Sequence, residues 1–470
     1  MGRKKQLPIL RGVTITDIGS EGNAIARIDE MVLFVPGMIP GDVVDVRVTR
    51  KKKRYMEGVP VAVVSPSPDR ITPPCSHFGV CGGCRWQHLP YENQLYYKEQ
   101  QVRDNLTRIG HTAIPQVDGI IGSDKIYDYR NKLEFTFSEK RWLTHAEVAS
   151  GAELGRQPAV GFHIPGIFDK VLDIEECLLM GGPTDAIRNE ARRYALERKL
   201  PFYDFREQRG FLRNLVVRRT TGGEVMVVLV TTDSHAEERE KMLDHLAGRF
   251  PEITSLYYII NTKKNDSISD LTPVLSAGNG YITEEMEGLR FRIGPKSFYQ
   301  TNSSQAERLY SLAREMAQLT GSENVYDLYT GTGTIACYVA SHAGRVTGIE
   351  YIEAAVEDAR INALENNIGN VHFIAGDIKD IFNNSLFDER GRPDVIITDP
   401  PRAGMHGDVT AAMLRSGAER IVYVSCNPAT QARDIDILSQ GYDVKRVSPV
   451  DMFPHTFHVE NVVLLEKKEA

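Results

Sequence analysis

The segment Asp327-Leu328-Tyr329-Thr330-Gly331-Thr332-Gly333-Thr334 leaves a strand-like run and enters a helical one, with glycines where backbone must pass close to a ligand. Ala336 stands where a dinucleotide fingerprint has its third glycine, which disfavours a pyrophosphate ligand. Four further apolar runs follow at regular intervals: Val346-Thr347-Gly348-Ile349-Glu350, Val371-His372-Phe373-Ile374, Val395-Ile396-Ile397-Thr398-Asp399 and Ile421-Val422-Tyr423-Val424-Ser425. Helical stretches separate them, so the pattern predicts an α/β, doubly wound, Rossmann-like parallel sheet with its ligand at the carboxyl ends of the strands. Glu350 ends the second run 19 residues after Gly331, placed to accept from both ribose hydroxyls, and Asp377 follows the third, where an adenine amino group would fall. The expected ligand is a nucleoside.

Two later strand ends bring reactive groups to the same cleft. In Asp399-Pro400-Pro401-Arg402, two prolines stiffen the backbone and hold a carboxylate over the ligand. Ser425-Cys426-Asn427-Pro428 adds a thiol between polar residues, where a helix beginning after Pro428 is expected to lower its pKa and favour thiolate. Cys337, on an apolar helix, reads instead as a small core residue. A base late in the sheet is needed to complement such a nucleophile. Met452-Phe453-Pro454-His455-Thr456-Phe457-His458-Val459-Glu460 supplies Glu460 as first choice, with His455 and His458 as fallbacks.

Upstream, Cys75-Ser76-His77-Phe78-Gly79-Val80-Cys81-Gly82-Gly83-Cys84 is a metal-binding pattern that wants a fourth ligand from afar, and Cys177 is the remaining unassigned thiol. Spacing does not choose between zinc, with His77 or His88 as an alternative ligand, and an iron-sulfur cluster. Short β-rich runs within residues 8–66, broken by Pro36-Gly37 and Pro40-Gly41, predict a small barrel. The run Arg50-Lys51-Lys52-Lys53-Arg54-Tyr55 on that barrel suits single-stranded nucleic acid. Residues 91–109 read as an amphipathic helix on Leu95, Tyr96, Gln100, Val102 and Leu106. Residues 127–299 read as α+β, with Arg206, Arg209, Arg213, Arg218 and Arg219 open either to RNA or to solvent.

At 470 residues the chain is too long for one core and suggests three units. Residues 1–110 hold 16 Lys/Arg against 11 Asp/Glu, leaving the remainder at −12 of the total −7, so the basic end is the candidate polyanion surface. No apolar run reaches membrane-spanning length, and residues 1–6 lead into no signal core. A cytoplasmic location is expected, in which six cysteines are not three disulfides.

Taken together these motifs resemble the RNA uridine-C5 methyltransferases, in particular those acting on 23S ribosomal RNA. The resemblance rests on a barrel like the family's TRAM domain, the Cys-x5-Cys-Gly-Gly-Cys run with a distant cysteine, and Phe298-Tyr299-Gln300-Thr301-Asn302. Asp399-Pro400-Pro401-Arg402, Ser425-Cys426-Asn427-Pro428 and His458-Val459-Glu460 complete it. It implies an S-adenosyl-L-methionine-dependent enzyme with Cys426 as nucleophile and Glu460 as proton-abstracting base. It places Gln300, Tyr329, Glu350 and Asp399 in the cofactor and uracil pocket; Gly331 and Asp377 are expected at the cofactor from their loop and strand positions alone. It also implies a [4Fe-4S] cluster on Cys75, Cys81, Cys84 and Cys177. The implied division is a TRAM, or OB-like, barrel at 1–66, a central iron-sulfur domain at 67–90 plus 127–299, and a methyltransferase domain at 91–126 plus 300–470, with the helix from Tyr91 packed on the last. Thr330 and Thr334 occupy glycine-loop positions that many members fill with Cys and Asn. Amino-group methyltransferases carry an aromatic after Pro-Pro, where this chain has Arg402, so exocyclic nitrogen is not the expected target. Uracil C5 is a weak nucleophile, and thiolate addition to C6 would activate it as an enolate. A monomer is expected. The alternatives are the same chemistry on a tRNA uridine and a non-catalytic RNA-binding iron-sulfur protein; radical chemistry would need Cys-x3-Cys-x2-Cys, which the chain lacks.

Overall fold

The β-rich runs pair into sheets of six, seven, two and seven strands among the described residues. The computed structural model describes residues 7–19, 21–111, 113–151 and 157–469, so the basic residues 3–5 of the amino terminus lie outside it. The first sheet is a small barrel. Its strands Ile9–Thr14 and Asp17–Ile18 are separated by Ile15 and Thr16 alone. The first pairs with Val43–Lys51 and the second with Ala24–Ile28, so one kinked strand joins both ends of the sheet. Alternate residues Val13, Ala24, Ala26, Leu33, Val35, Val44, Val46 and Val48 fill the interior, as period-two alternation requires. Lys51, Lys52, Lys53 and Arg54 stand exposed at a hairpin tip.

The second sheet runs in the order Val274–Gly278, Ile253–Ile260, Val225–Thr231, Leu212–Arg219, Lys132–Ser138, Ala159–His163 and Val171–Asp173. Helices Thr184–Glu197 and Ala236–Arg249 cover one face. Two of its arginines are buried in the protein rather than solvated. Arg213 is fully buried, donating to the carbonyls of Asn261, Lys263 and Asn265 and to Asp266 while lying 4.1 Å over the Tyr203 ring. Arg218 is buried against the carbonyl of Ser297. Arg206 and Arg219 pair with Asp169 and Asp128. A guanidinium enters a core where several carbonyls converge, a condition that local sequence does not display.

The third sheet is doubly wound. Its order is Val371–Ala375, Arg345–Glu350, Asn324–Leu328, Val395–Thr398, Arg420–Ser425, Glu460–Lys467 and Tyr442–Val450. The first five strands are parallel, and Glu460–Lys467 is antiparallel to both of its neighbours. Strand order reverses between Asn324–Leu328 and Val395–Thr398, and both are buried throughout, so the crevice opens where residues 329–333 and Asp399 leave the sheet. Helix Tyr91–Arg108 packs on helix Pro428–Leu438 and strand Tyr442–Val450. Its buried face differs from the expected one: Gln94, Lys98, Val102 and Leu106 face inward at four-residue spacing, whereas Tyr96 is 62% exposed. Polar side chains are buried there because buried partners await them.

Candidate active site

The glycine loop turns sharply after Leu328. Tyr329 takes a left-handed backbone (φ +66°), and the amides of Tyr329 and Thr330 both reach the carbonyl of Ile349. Gly333 (φ +76°) admits no side chain, since a Cβ there would lie 2.8 Å from Ala359 and Phe373. Glu350 is held by the loop it faces, accepting from the amides of Gly331 (3.1 Å) and Ile352 (2.9 Å). Thr330 donates to Asp327, a carboxyl that burial pushes up to about 7, with Asp399 and Glu350 adding to the shift.

Asp399, Cys426 and Glu460 meet at the carboxyl end of the sheet. Ser425 pairs with Asn461 across adjacent strands, which sets Cys426 and Glu460 beside one another. The Asp399 and Cys426 loops are tied together by the Arg402 carbonyl, which accepts from Asn427 (3.0 Å) and Thr430 (3.2 Å). Asn427 caps the helix Pro428–Leu438 by accepting from the amide of Ala429. The expected thiolate does not result. Burial pushes Cys426 up to about 12, the charges of Glu460 and Asp399 add to this, and Arg402 opposes it. Burial also raises both Asp399 and Glu460, and the nearby Asp399 charge raises Glu460 further while Arg402 opposes it.

These groups line a single cavity of about 1850 Å³, together with Gln300, Tyr329, Gly331, Glu350 and Arg402. Gln300 is buried and bonds the hydroxyl of Tyr310. Asp377 is not among the lining residues. It caps the short helix Ile378–Ile381, pairs with Lys379, and adds to the burial that pushes the nearby Tyr329 phenol up to about 12. Thr330 and Thr334 line the cavity, with Thr334 3.3 Å from the Thr332 hydroxyl. Of the two histidines, His458 reaches the cavity, its Nδ1 3.3 Å from Arg402, whereas His455 bonds Gln94 and stacks on Tyr127. Burial holds both rings down at about 4.

Cys75, Cys81, Cys84 and Cys177, all free of disulfides, also line this cavity. Burial pushes Cys84 and Cys177 up to about 12, and the other thiols of the group add to each shift. Among the described residues no three His, Cys, Asp or Glu side chains are grouped for a single metal ion. His77 accepts from the amide of Glu175, and His88 faces the carbonyl of Gly37. Sequence reasoning gave no role to Arg85, Arg130, Lys132, Phe168 or Phe298, which also line the cavity. Phe168 and Phe298 are 66% and 67% exposed, offering apolar faces at its mouth. Cationic residues flanking the strand Lys132–Ser138 were the available signal for Arg130 and Lys132.

Residues 278–468 match the family described as tRNA (Uracil-5-)-methyltransferase, and residues 11–61 match the TRAM domain. An uncharacterized RNA methyltransferase of Bacteroides thetaiotaomicron is 56% identical over 452 residues, covering 96% of this chain and 100% of that protein. Another from Porphyromonas gingivalis is also 56% identical, covering 96% of this chain and 98% of that one. Among solved structures, the Pyrococcus abyssi tRNA (uracil-54, C5)-methyltransferase in complex with S-adenosyl-L-homocysteine superposes with a TM-score of 0.74 at 30% identity, over 97% of this chain and 100% of that one. With a nucleoside-type glycine loop, a cysteine and two carboxyls in one cleft, and these matches along its length, the chain belongs to the RNA uracil-C5 methyltransferase family, with a TRAM domain at its amino end.

Proposed function

We propose that this chain methylates C5 of a uridine in RNA, with S-adenosyl-L-methionine as donor, through a covalent bond between Cys426 and C6 of the base. The observation that carries the reading is the meeting of Cys426, Glu460 and Asp399 in one cavity with the glycine loop and Glu350. Those residues fit the donor: Glu350, already oriented by two amides, would take the ribose, and Gly331 and Tyr329 would border it. When bound, the donor supplies the methyl group. Cys426 Sγ gives its proton to the Asp399 carboxylate and adds to C6, and the electron pair of the C5–C6 double bond moves to the O4 carbonyl as an enolate. After C5 is methylated, Glu460 takes the C5 proton. The released pair re-forms the double bond and expels the thiolate.

The same cavity is lined by four cysteines, and four thiols are the donor set that a [4Fe-4S] cluster takes. Cys75, Cys81, Cys84 and Cys177 would hold it, in a structural role. The domain division proposed is 1–66, then 67–90 with 127–299, then 91–126 with 300–470. The chain acts as a cytoplasmic monomer, and among the described residues no helix is long and apolar enough to cross a membrane. The proposed substrate is 23S ribosomal RNA. A tRNA uridine is the second reading, favoured by the likeness to the Pyrococcus abyssi enzyme. Transfer of tritiated methyl to 23S and tRNA transcripts, with base analysis of the product and Cys426→Ala as control, tests both. Label on neither RNA, or undiminished label with Cys426→Ala, would overturn the reading.

A further inference from the structure

The residue proposed as base, Glu460, begins its strand paired with Val450, so residues 451–459 form a loop whose two ends meet at that pair. This loop is held largely by segments outside its own sheet. The Asp451 carboxylate, fully buried, accepts from Lys98 Nζ (2.5 Å), the Tyr91 hydroxyl (2.9 Å) and the Phe453 amide (3.0 Å). Lys98 Nζ, itself fully buried, also donates to the carbonyl of Phe453 (3.0 Å). Gln94 clamps the loop's middle: its Oε1 accepts from the His455 amide (2.8 Å), and its Nε2 lies 3.2 Å from His455 Nδ1. That Nε2 also donates to the carbonyls of Trp86 and Leu89, which fixes the amide's orientation. His455 needs such a clamp because its backbone is left-handed (φ +66°), a conformation costly for a non-glycine residue.

We propose that Gln94 and Lys98, on helix Tyr91–Arg108, are positioning residues for the last step of the reaction: by clamping residues 451–459 they set the Glu460 carboxylate where it can take the C5 proton. The inference rests on the reading of Glu460 as base. Neither side chain lines the catalytic cavity, so neither touches substrate. Both nevertheless sit at inward positions of a helix where leucine would serve if packing were the whole purpose. A loop that drifts by about 1 Å would slow proton removal by roughly 100-fold while leaving thiol addition, which depends on the separately held Cys426 loop, in place.

The test compares full-length Gln94→Leu and Lys98→Met with wild type and with Glu460→Gln, on RNA transcripts carrying uridine or 5-deuterouridine. Positioning predicts that both helix variants accumulate methylated protein–RNA adduct and show a larger deuterium isotope effect on turnover than wild type. A structural role alone lowers the active fraction without changing adduct partitioning or isotope effect, and that result would overturn the inference. If Lys98→Met does not fold, Gln94→Leu carries the test alone, and Lys98→Met/Asp451→Asn removes both charges without stranding one. If Glu460→Gln itself accumulates no adduct, the assignment of the base fails. If it does so and Gln94→Leu behaves as wild type, only the positioning role fails.

Discussion

Glu460→Gln isolates the final step, because it keeps the side chain's shape and removes its ability to take a proton. General-base catalysis contributes on the order of 10²- to 10⁴-fold, so elimination should slow by about that factor while addition and methyl transfer persist. The surroundings limit rescue. Glu460 is 3% exposed, so bulk water does not substitute. His458 is held down at about 4 and lies against Arg402, which makes it a weak base, and His455 does not line the cavity. If methyl transfer and elimination run at similar rates in the wild type, slowing elimination by about 100-fold raises the adduct to roughly 99% of working enzyme. The assay is denaturing electrophoresis of enzyme with labelled RNA: a slow-migrating methylated band should appear and vanish on RNase treatment. Normal turnover by Glu460→Gln, or the same band from Cys426→Ala, would refute the division of labour between thiol and carboxylate.

In the RNA-free protein, alkylation of Cys426 by iodoacetamide, followed on its own peptide by mass spectrometry, should climb steadily to pH 10, since a thiol at about 12 is roughly one part in 10⁴ thiolate at pH 8. Arg402→Leu should slow that alkylation, because the cation favours thiolate, and a plateau below pH 9 would show that burial and the two carboxyls do not hold the thiol up. Arg213→Met should destabilise the central sheet by about 3 kcal/mol in urea unfolding, through buried carbonyls left without a donor, yet leave the salt dependence of RNA binding unchanged. A flatter salt slope would instead make Arg213 an RNA ligand. Replacing Lys51, Lys52 and Lys53 by Ala should flatten that slope by up to about 0.7 for each phosphate that is no longer neutralised, and an unaltered slope would remove the barrel tip from the interface.

The sequence alone determined what lies at strand ends. In a doubly wound sheet every parallel strand delivers its last residue to one edge, so reading where the apolar runs stop placed Glu350, Asp399 and Cys426 around a common crevice. Alternation and turn residues likewise marked the barrel, and cysteine spacing marked the thiol wall. Tertiary structure decided what depends on partners far along the chain. Lys98 and Gln94 were hidden on a helix read for its apolar residues, because their partners Asp451 and His455 come 353 and 361 positions later. Asp377 satisfied the strand-end rule yet turned to cap a helix and pair with Lys379, a local competition for the carboxylate that strand position does not register. The state of Cys426 was decided in the same way. A helix start in sequence predicts thiolate, but burial, with two carboxyls arriving from other strands adding to it, sets the sign. Electrostatics in a buried cleft sums over every element that reaches it, whereas a sequence motif contains only one of them.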